Sequence, residues 1–107
     1  MKKKYMLVIE GDEYEEEIFV KYSSHAIKRK NERAIPVNII NGNILMVGDV
    51  LLDELKPYDE FIIIDRDHGE SIVGGIDIDD GQITVTIITV IDNSNIHYRE
   101  GQKIIEL

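Results

Sequence analysis

Two unbroken apolar runs of strand length constrain this chain most: Tyr5-Met6-Leu7-Val8-Ile9 and Phe61-Ile62-Ile63-Ile64. Each is too short for a buried helix and too continuously apolar for a strand with one wet face. Both therefore read as strands covered on two sides, at the centre of a sheet. Lysines precede the first run and Glu10-Gly11 ends it; the second runs into Asp65-Arg66-Asp67-His68-Gly69-Glu70. A chain of 107 residues has the length of one domain, 1–107, around one core.

The segment between the two runs reads as helix, then hairpin, then helix. Asp12 stands three residues before Glu15, a capping-box spacing. Glu13, Glu15, Glu16 and Glu17 crowd the first turns and Lys28, Arg29, Lys30 and Arg33 the last, as the helix dipole favours. Tyr14, Ile18, Phe19, Tyr22, Ala26 and Ile27 recur at three- and four-residue spacing. That predicts one long N-terminal amphipathic helix, ended before Pro36. Asn41-Gly42 lies between apolar stretches and predicts a hairpin across 37–47, because a type I′ turn needs positive φ twice. Asp49 and Pro57 bracket a short helix over 50–56.

The remainder reads as strands. Residues 71–78 form one, with a bulge or bend at Gly74-Gly75, and Asp80-Gly81 a second hairpin turn. Residues 83–87 alternate in one phase and 88–90 in the other, which predicts a β-bulge near Ile87 and Ile88. A turn at 92–95, a short strand at 96–99 and a last one at 103–105 complete the chain. The fold class expected is α+β: a mixed, mostly antiparallel sheet with one long and one short helix.

Composition excludes several classes. There is no cysteine, hence no disulfide scaffold, thiol nucleophile, thiolate zinc site or iron–sulfur cluster. No apolar run nears the ~20 residues of a membrane span. About five apolar residues after the basic start are too few for a signal peptide. A cytoplasmic location is the expectation. The net charge of −9 is unevenly spread: residues 1–33 hold eight bases and seven acids, and 34–107 four bases and fourteen acids. So acidic a region repels phosphate backbones, and nucleic acid is a partner only through bound cations. Exposed edges of an Ile-rich sheet make a homodimer a second expected partner.

One constellation carries chemistry. Asp65 and Asp67, two residues apart on extended chain, project to one side about 6–7 Å apart. Carboxylates so placed can hold Mg²⁺ or Ca²⁺. If the two apolar strands are parallel neighbours, Glu10 arrives at the same end of the sheet, where open sheets put their ligands. Three carboxylates and a cation would suit phosphoryl transfer, with Glu10 as acid or base.

Leu7-Val8-Ile9-Glu10-Gly11, a following helix and Ile62-Ile63-Ile64-Asp65-Arg66-Asp67 resemble the TOPRIM domain of type IA topoisomerases, bacterial primases and related nucleases. The resemblance covers about residues 5–70. It implies an α/β parallel sheet as the alternative fold, Glu10 as general acid/base, and Asp65 and Asp67 as Mg²⁺ ligands. Two other readings stand beside it. The acids are solvated turn residues of a non-catalytic interaction or structural protein, or they hold a cation structurally. His68 is a late ligand or proton carrier if the Asp65 site is real, and otherwise a surface residue. His25 and His97 show no zinc spacing. Asp77-Ile78-Asp79-Asp80-Gly81 opens like an EF-hand loop, but Ile88 stands where that loop needs Glu. Walker, dinucleotide and nucleophile-elbow motifs are absent.

Overall fold

The computed structural model describes residues 4–93 and 101–107. The turn at Ser94 and Asn95, the strand expected at 96–99 and His97 lie outside the described residues. Six strands form one sheet in the order β1-β2-β5-β4-β3-β6. They are β1 Lys4–Glu10, β2 Glu15–Tyr22, β3 Glu60–Asp65, β4 Glu70–Asp79, β5 Gln82–Ile91 and β6 Lys103–Glu106. Helices α1 Ser24–Glu32, α2 Val37–Met46 and α3 Gly48–Glu54 come between β2 and β3. β1–β2, β5–β4 and β4–β3 pair antiparallel; β2–β5 and β3–β6 pair parallel. The sheet is thus mixed, and the parallel α/β alternative does not describe it.

The long N-terminal helix is not there. Residues 15–22 are a strand paired with β1 from Lys4↔Lys21 to Glu10↔Glu15. Ile18 and Tyr22 fit both periods and Phe19 only the helical one, and the buried residues are Ile18, Val20 and Tyr22, at period two. The apolar run of β1 needs a ladder partner, and the segment nearest in sequence supplies it. A tight turn closed by Gly11 N–H donating to the Tyr14 carbonyl (2.9 Å) joins the two. The cap used is Ser23, not Asp12: its Oγ accepts from Ala26 N–H at 3.0 Å. Only the basic last third of the expected helix is helical, and of α1 only Ala26 is buried.

The hairpin at Asn41-Gly42 is also overturned, because both residues lie inside α2. Pro36 stands at the N-cap, compatible with a helix start. Ile40, Asn41 and Ile44 recur at helical spacing and are buried, with Val47 just beyond the helix. Asn41 is held by Tyr22, whose hydroxyl donates to Oδ1 at 2.7 Å. The short helix before Pro57 is present as α3, two residues earlier than its expected bounds.

β3 is buried on both faces from Phe61 to Asp65 and lies between β4 and β6. β1, expected to be central, is an edge strand: Tyr5, Leu7 and Ile9 pack toward the helices while Met6 and Val8 are exposed. Asp80 (φ 50°) and Gly81 (φ 77°) form the β4–β5 turn with positive φ twice, as the sequence predicts. The bulge also falls where the phase changes. Val73 pairs with Thr89 and Gly74 with Ile87, so Ile88 is the extra residue. Opposite it, a Cβ on Gly74 would lie 2.6 Å from the Phe61 ring. Only glycine lets the ring of β3 pass under β4 there. Helices and sheet enclose one core, with Ile18, Val20, Ile40, Ile44, Leu51, Phe61, Ile63, Ile72, Val85 and Ile87 fully or almost fully buried.

Candidate metal centre at the β3–β4 turn

β3 and β4 are joined by the four-residue turn Arg66-Asp67-His68-Gly69, in which Gly69 takes φ 66°. The turn makes Asp65 and Glu70 direct cross-strand partners on the helix side of the sheet. Each is only 3% exposed. Two carboxylates buried side by side demand compensation.

Asp65 receives it in full. Its Oδ1 accepts from His68 N–H at 3.1 Å. Its Oδ2 accepts from Asn43 Nδ2 at 3.1 Å and lies 2.7 Å from His68 Nδ1. Burial alone would push the Asp65 carboxyl up, but the hydrogen bonds from His68 and Asn43 outweigh it and hold it below the usual carboxylate range. The His68 imidazole is pushed up by its hydrogen bond to Asp65 and by that carboxylate's charge. Its side chain is 54% exposed, so one side of the group meets water.

Glu70 is compensated less well. Its Oε1 is buried and has no hydrogen-bond partner among the described residues. Burial, and then the Asp65 charge, push its carboxyl up. Ligand atoms of Asp65, His68 and Glu70 all lie within 4.8 Å of one another. Two carboxylates and one imidazole at that spacing are a donor set for a divalent cation, with the solvent side left for water or substrate.

The three residues singled out from sequence are not brought together. Asp65 is in the group. Asp67 is exposed in the same turn, where its charge acts on His68. Glu10 is remote. β1 lies four strands from β3, about 19 Å across the sheet. The chain of pairings also makes β1 antiparallel to β3, so Glu10 and Asp65 sit at opposite ends. The sequence reading missed Glu70 and Asn43. Glu70 was findable: Gly69 closes a tight turn after an apolar strand, and such a turn makes 65 and 70 partners. Asn43 carried no signal while it was read into a hairpin.

No helix among the described residues is long and apolar enough to cross a membrane. Comparisons with protein-family models, curated proteins and solved structures find no match for this chain.

Proposed function

We propose that Asp65, His68 and Glu70 bind a divalent cation, and that this small acidic domain acts through that ion. The observation that carries the reading is Glu70 Oε1, a buried carboxylate oxygen without a partner beside a second buried carboxylate. A cation satisfies that oxygen and neutralises the pair at once; no hydrogen bond within the cluster does both. One nitrogen donor beside two carboxylates favours Mn²⁺ or Zn²⁺ over Mg²⁺ and Ca²⁺, which prefer oxygen throughout. Asn43 holds the Asp65 carboxylate from behind, as supporting residues do at metal sites.

The exposed His68 side leaves room for an anionic group to reach the ion, so a phosphate-bearing partner, nucleic acid included, would be met through the cation. Glu10 takes no part in that chemistry, and no acid/base residue is assigned. Thermal melts with Mn²⁺, Zn²⁺, Mg²⁺ and Ca²⁺ after chelation test the reading. Binding to the native state stabilises it by mass action, by about 2.7 kcal/mol at a hundred times Kd, and so raises the midpoint. Asp65→Asn and His68→Ala should abolish the rise. No rise with any of the four ions, or an equal rise in Asp65→Asn, would overturn it.

A further inference from the structure

The face of the sheet away from the helices has an unusual charge order over β1 and β2. Successive residues pointing to that face are Lys4, Met6, Val8 and Glu10 on β1, and Glu15, Glu17, Phe19 and Lys21 on β2. The ladder sets Lys4 directly opposite Lys21, and Glu10 directly opposite Glu15. Like charges directly opposite on a ladder are destabilising. None of these five charged side chains has an ion pair or side-chain hydrogen bond among the described residues. Between the two charged ends lie Met6, 56% exposed, Val8, 38% exposed, and half-buried Phe19, with exposed Glu17 opposite Val8; Ile88 of the bulge, 37% exposed, lies on β5 past the level of Lys21. One end is basic, the other acidic, and the middle apolar at Met6, Val8 and Phe19, with Glu17 the charge that reaches into it from the acidic end. That surface complements itself when it is turned end for end.

We infer that this face binds a second copy of the chain, sheet on sheet, about a two-fold axis lying between the sheets and crossing the strands. Rotation about that axis reverses strand direction and keeps the strand order. Lys4 then meets Glu10 of the partner subunit, and Lys21 meets the partner subunit's Glu15. Met6 packs on the partner's Val8. A two-fold axis along the strands would instead set lysine on lysine and glutamate on glutamate, so the charges select one of the two isologous arrangements. The apolar middle supplies the affinity and the outer ion pairs fix the orientation, because exposed pairs contribute little by themselves. The surface is built on β1 and β2, which β5 separates from the β3–β4 turn of the Asp65 group, and uses other residues, so the two readings stand or fall separately.

Sedimentation velocity over about a hundredfold range of protein concentration tests the inference. The wild-type chain should dimerise, more weakly as salt rises. A chain with Lys4→Glu and Lys21→Glu should dimerise at least about tenfold more weakly, as should a chain with Glu10→Lys and Glu15→Lys. Mixed one to one, the two chains should form a heterodimer at least as tight as the wild-type homodimer. Each reversal replaces one like-charge pair by another, so folding should survive. Met6→Gln, an exposed change that leaves the ladder intact, gives a second way to weaken the dimer. A wild-type chain that stays monomeric overturns the inference. So do reversed chains that dimerise as well as wild type, which would point to the open edge of β1, and a mixture that does not recover.

Discussion

Replacing Glu70 by glutamine separates the cost of the buried carboxylate from its use. Glu70 Oε1 is buried without a partner, opposite the buried Asp65. An unsatisfied buried polar group costs about 1–3 kcal/mol, and more if charged. Glutamine keeps the shape, removes the charge and adds N–H donors beside Asp65. Without metal, Glu70→Gln should therefore be the more stable protein by about 1–3 kcal/mol. A melting entropy of about 2 cal/mol/K per residue makes each kcal/mol worth about 4–5 °C at this length. The midpoint in EDTA, followed by far-ultraviolet circular dichroism, should rise by about 4–14 °C. Burial raises the carboxyl of Glu70 above its unfolded value, so the folded state holds that proton more tightly. The stability linked to that proton is present below the ordinary carboxylate range and lost as pH rises through the raised value. Glutamine has no such loss, so the advantage of the variant should be small in acid and open as pH rises through that window. With Mn²⁺ or Zn²⁺ added, the wild-type protein should gain and the variant should not, so the two midpoints converge or cross. A variant that melts below wild type in EDTA, or that gains equally with metal, refutes the reasoning.

Three further outcomes test the fold. Gly42→Ala should stabilise by about 0.5–1 kcal/mol in denaturant melts, since Gly42 sits within α2 with nothing within 4 Å of an added Cβ; a type I′ turn there would make the same change destabilising. Gly74→Ala should cost about 1–3 kcal/mol or more, because the added Cβ falls 2.6 Å from a fully buried Phe61 ring. Phe61→Leu in the same chain should recover part of that loss, a non-additivity read from a double-mutant cycle. Tyr22→Phe should cost about 1–2 kcal/mol by leaving the buried Asn41 Oδ1 without its donor. Burial and then Tyr5 raise the Tyr22 phenol above its ordinary value, so wild-type stability should fall once pH passes about 10, where the unfolded phenol ionises. That fall should be smaller in Tyr22→Phe, as urea midpoints at several alkaline pH values would show.

Legibility followed the reach of each determinant. The bulge that sets Ile88 opposite the Val73–Gly74 step and the Asp80-Gly81 turn are set by their own few residues, and both were readable. Residues 15–22 were not, because Ile18 and Tyr22 satisfy both periods and only pairing with β1 decides between them. Asn41-Gly42 carries a strong local turn signal, but Pro36 and the burial of Ile40 and Ile44 against the sheet outweigh it. At the site, Asp65 was legible from its place at the end of an apolar strand. Glu10 was misplaced because strand order is not written in any one segment: nothing local tells that β2 and β5 join at the β2 edge away from β1.

That parallel join has a consequence for how the protein is made. β2 pairs with β5 through residues such as Ile18 and Ile83, and Ser23 reaches Ile88 across 65 residues of chain. On the ribosome the β1–β2 hairpin therefore emerges long before the strand that completes it, and an isolated hairpin is marginal in water. Non-local parallel pairing of this kind closes slowly. Until β5 arrives, Ile18, Val20 and Tyr22 lack their neighbours on one side and an unpaired strand edge is open. Chaperone demand and early aggregation should accordingly concentrate in the first quarter of the chain during synthesis, although the finished protein has those residues in its core.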